Sequence, residues 1–220
     1  IANQCVTTNS FMGGGGVAAL SGAYCALTNC WINNNISQSK GGGLCLVDSF
    51  TTMGGSPESD LDMSRLPANR LIANIATNGL GNGGAISAVR SVITMGEALI
   101  LSNRAVRGGG LHADLSSTTR VVNAIIANND ATSAGSGVRA ANNSEATLLH
   151  TIVVSNENEG VTAGAASLAL TNCIVFGNAG TEVSVGQQAT ACDIEGGYAG
   201  GSGILNLEPS FMNPGMLDYR

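Results

Sequence analysis

One repeated unit constrains this chain more than anything else in it: a short apolar run that closes on asparagine, then a cluster of glycines, then a second short apolar run. Thr28-Asn29-Cys30-Trp31-Ile32-Asn33-Asn34-Asn35 and Thr171-Asn172-Cys173-Ile174-Val175-Phe176-Gly177-Asn178 share one template. Shorter copies end at Asn74, Asn103, Asn128 and Asn156, and Asn3 closes the tail of another. Successive asparagines of this set lie 22 to 39 residues apart. Glycine clusters follow them at Gly13 to Gly16, Gly41 to Gly43, Gly83 with Gly84, Gly108 to Gly110, Gly135-Ser136-Gly137 and Gly164. A β-sandwich also turns on Asn and Gly, but nothing in it requires the same order of turns so many times.

A unit this short cannot bury its apolar face by itself; it can do so against copies above and below. The sequence therefore predicts an all-β, right-handed parallel β-helix, a solenoid of about seven to eight coils with one inserted loop. At about 4.8 Å per coil the rod would be roughly 35 to 40 Å long. Equivalent residues stack in such a fold. Asn35, Asn74, Asn103, Asn128, Asn156 and Asn178 are expected in one column, hydrogen-bonded through their side-chain amides. The 31 glycines, and only 4% aromatic and 11% charged residues, fit tight corners and a core of small aliphatic side chains.

The longest interval contains Ser49 to Asn69, with Pro57, Pro67, Glu58, Asp60 and Asp62. This is read as the inserted loop, spanning 49–69. Its alternating acids make Glu58, Asp60 and Asp62 a candidate calcium site, because calcium takes several carboxylate oxygens, although the spacing is not that of an EF-hand. No other cofactor is expected. The whole of 1–220 reads as a single β-helix domain, a section of a larger protein. Neither end carries a polar cap, so further polypeptide or another copy is expected to stack on at least one of them.

The net charge of −6, with Lys40 the sole lysine, argues against nucleic acid as a partner. No apolar stretch reaches the length of a membrane span, so direct insertion of this segment in a bilayer is not expected.

Residues 191–220 form a divergent C-terminal coil. The runs Ala191-Cys192-Asp193-Ile194-Glu195-Gly196-Gly197-Tyr198, Leu207-Glu208-Pro209-Ser210-Phe211-Met212-Asn213-Pro214 and Asp218-Tyr219-Arg220 resemble the closing segment of β-helix surface proteins of the choice-of-anchor Q type. The Gly-Gly corners with Asn turns are also similar to the repeats of polymorphic outer-membrane proteins. The resemblance implies a secreted or cell-surface bacterial protein and supplies no catalytic residues. It departs from that family at the end, where an anchoring continuation would follow.

Cys173 and Cys192 fall on adjacent coils, close enough to bridge but poorly aimed, and are expected as buried thiols filling the core. Trp31 and Phe176 fall at nearly equivalent outward positions, suited to stacking on sugar rings or to packing under a neighbour. Polysaccharide-cleaving β-helix enzymes require clustered acids with Arg or Lys. Here His112, His150, Asp130, Asp193 and the arginines are read as scattered among coils. The expected function is a non-enzymatic structural or adhesive surface. Its partners would be polysaccharide, other copies of itself or neighbouring surface proteins. The alternative is a lyase or glycoside hydrolase of the pectate-lyase-like type.

Overall fold

The structure, a computed structural model, describes residues 4–5, 13–54, 69–79 and 81–212. Within them the chain is all-β and winds as a parallel β-solenoid. One turn shows the path. Ala98–Leu101 forms side D, Arg104–Arg107 side A, Leu111–Asp114 side B and Thr118–Val122 side C. The chain then reaches Ile125–Ala127, which pairs in parallel with the strand where the turn began. Among the described residues side B has six strands, which counts about six turns rather than seven to eight. The shortfall comes from the end coils, which lack complete sides: side A has no strand after Asp130–Ala134.

Alternation along each strand sends every second side chain inward, so the solenoid builds a core of stacked columns. Side D supplies Leu71, Ile100, Ile126, Val153 and Val175, all fully buried. Side C supplies Met53, Met95, Val121, Leu148 and Leu170. Burying each such side chain contributes about 1.5 to 3 kcal/mol. Aliphatic columns suffice because each turn rests on near-identical copies of itself.

The asparagine column exists, with one change of member. The Asn35 Nδ2 donates to Asn74 Oδ1 at 2.9 Å, Asn74 to Asn103 at 3.0 Å, Asn103 to Asn129 at 3.0 Å, Asn129 to Asn156 at 3.0 Å and Asn156 to Asn178 at 2.7 Å. Each acceptor oxygen also takes the backbone N–H of the asparagine before it, at 2.9 to 3.1 Å. The rung in the middle is therefore Asn129 and not Asn128. Asn128 precedes it in the left-handed region at φ 53°, as do Asn34, Ala73, Ser102, Ser155 and Gly177 before their own rungs. That left-handed residue turns the chain so that the next side chain points inward. Asn3 lies outside the described residues.

Glu182 ends the column. Its carboxylate accepts the Asn178 backbone N–H at 2.9 Å and the Asn178 side-chain amide as well. Burial pushes the Glu182 carboxyl up to about 7; the Asn178 hydrogen bonds oppose the shift and nearby Glu195 adds to it. Between the ordinary carboxylate value and about 7 the folded chain keeps a proton that the unfolded chain has lost. The stability it contributes is present below that ordinary value and is lost as pH rises through about 7. Denaturant unfolding at about pH 5 and about pH 8 is expected to show this decline in the wild type and a smaller one in Glu182→Gln. Equal pH dependence in both proteins would refute the assignment.

The corner between sides B and C carries a second column that the sequence reading missed. Ser49, Ser91 and Ser117 each donate a backbone N–H to the hydroxyl of the next serine, at Ser91, Ser117 and Ser144, all at 3.1 Å. Its first member also corrects the expected insertion at 49–69. Phe50–Gly54 is a regular strand of side C, and Asn69–Ile72 a regular strand of side D. Only 55–68 remains between them. That segment, including Glu58, Asp60 and Asp62, lies outside the described residues.

Candidate functional site

The described outer faces differ in character. The outer face of side D is apolar: Leu99, Leu101, Ala127 and Val154 are buried there, with Ile72, Phe176 and Phe211 packed against them. Phe176 is therefore packing, whereas Trp31 is 68% exposed with the Arg70 guanidinium 4.5 Å above its ring. The two share the outward face of side D but not a column, since Trp31 aligns with Arg70 and Phe176 with Val154.

The outer face of side C is open. Tyr24, Phe50, Val92, Thr118, Glu145 and Ser167 stack in one exposed column, and Thr52, Thr94 and Arg120 are exposed in the column beside it. Tyr24 is 69% and Phe50 55% exposed. The Tyr24 hydroxyl lies 3.2 Å from Thr52 Oγ1. Regular parallel pairing holds these side chains on a flat face, with Trp31 just past the Asn29 corner.

The outer face of side B carries the chemistry. Second residues of its strands fall in register as Cys45, Ser87, His112, Arg139 and Thr162. Four consecutive members hold buried polar atoms with no hydrogen-bond partner: Ser87 Oγ, His112 Nδ1, Arg139 Nε and Thr162 Oγ1. The large majority of buried side-chain polar atoms in folded proteins are paired, so a run of four stacked orphans is not ordinary packing. Lys40, itself buried, reaches to 4.0 Å from Asp114. The Asp114 carboxylate also accepts from Leu115 N at 2.9 Å and Asn142 Nδ2 at 2.7 Å. Glu159 accepts the Gly135 N–H. Arg107 and Arg139 are half-buried and the Arg107 charge acts against that of Arg139, yet neither makes an ion pair among the described residues.

His112 is lowered to about 4, chiefly by burial; Asp114 opposes the shift, and Arg139, Lys40 and Arg107 reinforce it. It is neutral at pH 7. Arg139 is lowered by burial first and Arg107 second, with Glu159 and Asp114 opposing.

The expectation that His112 and the arginines are scattered is therefore corrected in part. The second position after each glycine corner is one column, so residues 23 to 27 apart in sequence become neighbours. The remaining candidates have structural duties. Asp130 pairs with Arg104 at 3.0 Å, and Asp193 accepts the Leu207 N–H at 3.0 Å. His150 occupies an exposed left-handed corner at φ 48°. Asp48 and Arg90 join neighbouring corners through two hydrogen bonds of 2.7 and 2.8 Å, which hold the Asp48 carboxyl below its ordinary value. Cys173 and Cys192 are buried free thiols on adjacent coils, in keeping with a core-filling role. No cluster of His, Cys, Asp or Glu suited to a metal occurs among the described residues. No family model, curated protein or solved structure matches the chain.

Proposed function

We propose that the protein is a non-enzymatic secreted or cell-surface rod that binds glycan through the open face of side C. Tyr24 and Phe50, exposed in register on a rigid parallel sheet with Trp31 beside them, support this reading most directly. Aromatic rings fixed in this way meet sugar faces without losing further side-chain freedom, and repetition along a rod multiplies weak contacts. The end strands of the four parallel sheets are the places where other copies or neighbouring surface proteins would add to the rod.

The polysaccharide-cleaving alternative has one observation in its favour, the gathering of His112, Asp114, Arg107 and Arg139 on side B. Its weakness is quantitative. A histidine near 4 is a poor base for abstracting a proton at neutral pH, where an effective base titrates close to the working pH. Asp114 and Glu159 are moreover already occupied as acceptors.

The test is a neutral glycan panel followed by titration of whatever is retained. Trp31→Ala with Phe50→Ala is expected to weaken binding at least about tenfold, with unfolding nearly unchanged because both rings are exposed. Unsaturated products and new reducing ends are expected to be absent with uronate polymers. Unaltered binding by the double variant would remove side C from the account. Turnover abolished by Arg139→Gln would put the enzyme in place of the rod.

A further inference from the structure

Arg139 and Arg107 lie on adjacent coils; the Arg107 charge acts against that of half-buried Arg139, and neither forms an ion pair among the described residues, a costly arrangement in a folded chain. Their planar, multiply donating guanidinium groups match a carboxylate. In the same column as Arg139, His112 is 2% exposed, its Nδ1 has no hydrogen-bond partner, and the charges of Asp114, Arg139, Lys40 and Arg107 act on it. Thr162, at 8% exposed, adds an unpaired hydroxyl on the next coil beyond Arg139, and Ser87 adds another on the coil before His112.

We propose that the outer face of side B binds an acidic oligosaccharide, with a ligand carboxylate held between Arg107 and Arg139 and ligand hydroxyls meeting the Ser87, His112, Arg139 and Thr162 column. A metal ion does not fit, because the acids here are few and already engaged, and the charged groups without an ion pair are the arginines. A fully apolar ligand would leave every orphan atom unpaired. A sugar hydroxyl both donates and accepts, as does each hydroxyl in the column, and neutral imidazole can take either part through its tautomers. Four coils set the orphan atoms over roughly 14 Å, the reach of an extended chain of a few sugars lying along the rod axis. Half-buried Arg139 stands between His112 and Thr162 in the column, and half-buried Arg107 lies at the end of side A on the coil of His112. Lys40 and Asp114, already near each other, frame one side.

This site is independent of the aromatic face of side C, and the experiment keeps the two apart. The full chain is titrated calorimetrically with a uronic-acid oligomer, with the same oligomer reduced to its neutral sugar, and with an oligoglutamate peptide. Tight binding is expected for the uronate alone, weakening as salt rises. Arg107→Gln and Arg139→Gln are each expected to reduce it at least about tenfold, with melting temperatures near wild type because both side chains are half-exposed. His112→Gln, which keeps a polar side chain at the floor, is expected to have a smaller effect, and Trp31→Ala none. Equal binding of the neutral sugar would overturn the carboxylate assignment, and equal binding of oligoglutamate would overturn the sugar. Loss in Trp31→Ala but not in Arg139→Gln would overturn the location while leaving the side C reading intact. Absence of uronate binding to a folded wild type would overturn the proposal as a whole.

Discussion

Asn129→Leu is expected to be the most damaging polar substitution in the molecule. The Asn129 side chain accepts from Asn103 N and Asn103 Nδ2 at 3.0 Å each, and donates to Asn156 Oδ1 and to Ile100 O at 3.0 Å each. Leucine occupies similar space and satisfies none of the four. The Asn103 backbone N–H and one Asn103 Nδ2 proton lose their acceptor and Ile100 O loses a donor, while Asn156 Oδ1 keeps the backbone N–H of residue 129; each group left unsatisfied in this fully buried column costs about 1 to 3 kcal/mol. Allowing for relaxation, a loss of about 3 kcal/mol or more is expected, or roughly 6 to 12 °C in melting temperature for a chain of this size. Asn128→Gly provides the contrast. It replaces a residue at φ 53° with one that adopts that conformation readily, and stability is expected to stay within about 1 kcal/mol of wild type. Equal melting temperatures for Asn129→Leu and the wild type would refute the ladder as a source of stability. Damage from Asn128→Gly as severe as that from Asn129→Leu would refute the register.

Gly84→Ala is expected to be as severe or worse, for a steric reason. A Cβ at position 84 would sit 2.2 Å from the Gly109 carbonyl oxygen and 2.7 Å from the Arg104 nitrogen, both backbone atoms of the next coil. No rotamer change relieves a clash between backbones. Successive coils would have to part at the A to B corner, opening the ladder of hydrogen bonds from Gly83 N to Arg107 O at 2.8 Å and Gly84 N to Gly108 O at 3.0 Å. Loss of about 3 kcal/mol or more, or failure to yield soluble protein, is expected. Gly96→Ala is the matched control, since a Cβ there meets nothing within 4 Å and its φ is not left-handed. It should be neutral or slightly stabilising. Urea unfolding of the two variants side by side decides the matter: similar midpoints would show that the coils tolerate separation at this corner.

The solenoid was legible because its constraints repeat. Asparagine and glycine recur for the same backbone reason in every turn, and six copies of one pattern outweigh any single propensity. Register within the pattern was harder. Asn128 and Asn129 are adjacent, and both fit an apolar run that closes on asparagine. The distinguishing signal is the inward aliphatic residue three positions earlier, as in Ile32 before Asn35, Leu71 before Asn74 and Ile100 before Asn103. Applied to Ile126, that spacing selects Asn129. Ser49 to Gly54 was mistaken for loop because Thr51 fills an inward position usually held by an aliphatic residue, which hides the alternation. The side B cluster is hidden in the sequence because residues 23 to 27 apart become neighbours only through the coil register. In a stacked coil the neighbour of His112 is set by its place after the glycine corner, so Arg139 and Ser87 are adjacent to it while Asp130 is on a different side.

The asparagine column also has a direction. From Asn35 to Asn156 each side-chain amide donates one N–H to the asparagine oxygen of the higher-numbered coil, and from Asn74 onward its own oxygen accepts from the asparagine of the lower-numbered coil, while the second N–H of Asn74, Asn103, Asn129 and Asn156 ties back to a carbonyl of that lower coil. Dipoles aligned head to tail in this way polarise one another and sum along the rod axis, much as peptide dipoles sum along an α-helix. The column's positive pole is the donor end at Asn178, and the group that meets it is a carboxylate, Glu182. An acid at that pole is the electrostatic counterpart of an acidic residue at a helix N-terminus. It gives the rod a polarity that a further coil could extend past Asn178 only by displacing the acid, and neutralising Glu182 weakens the counter-charge at that end.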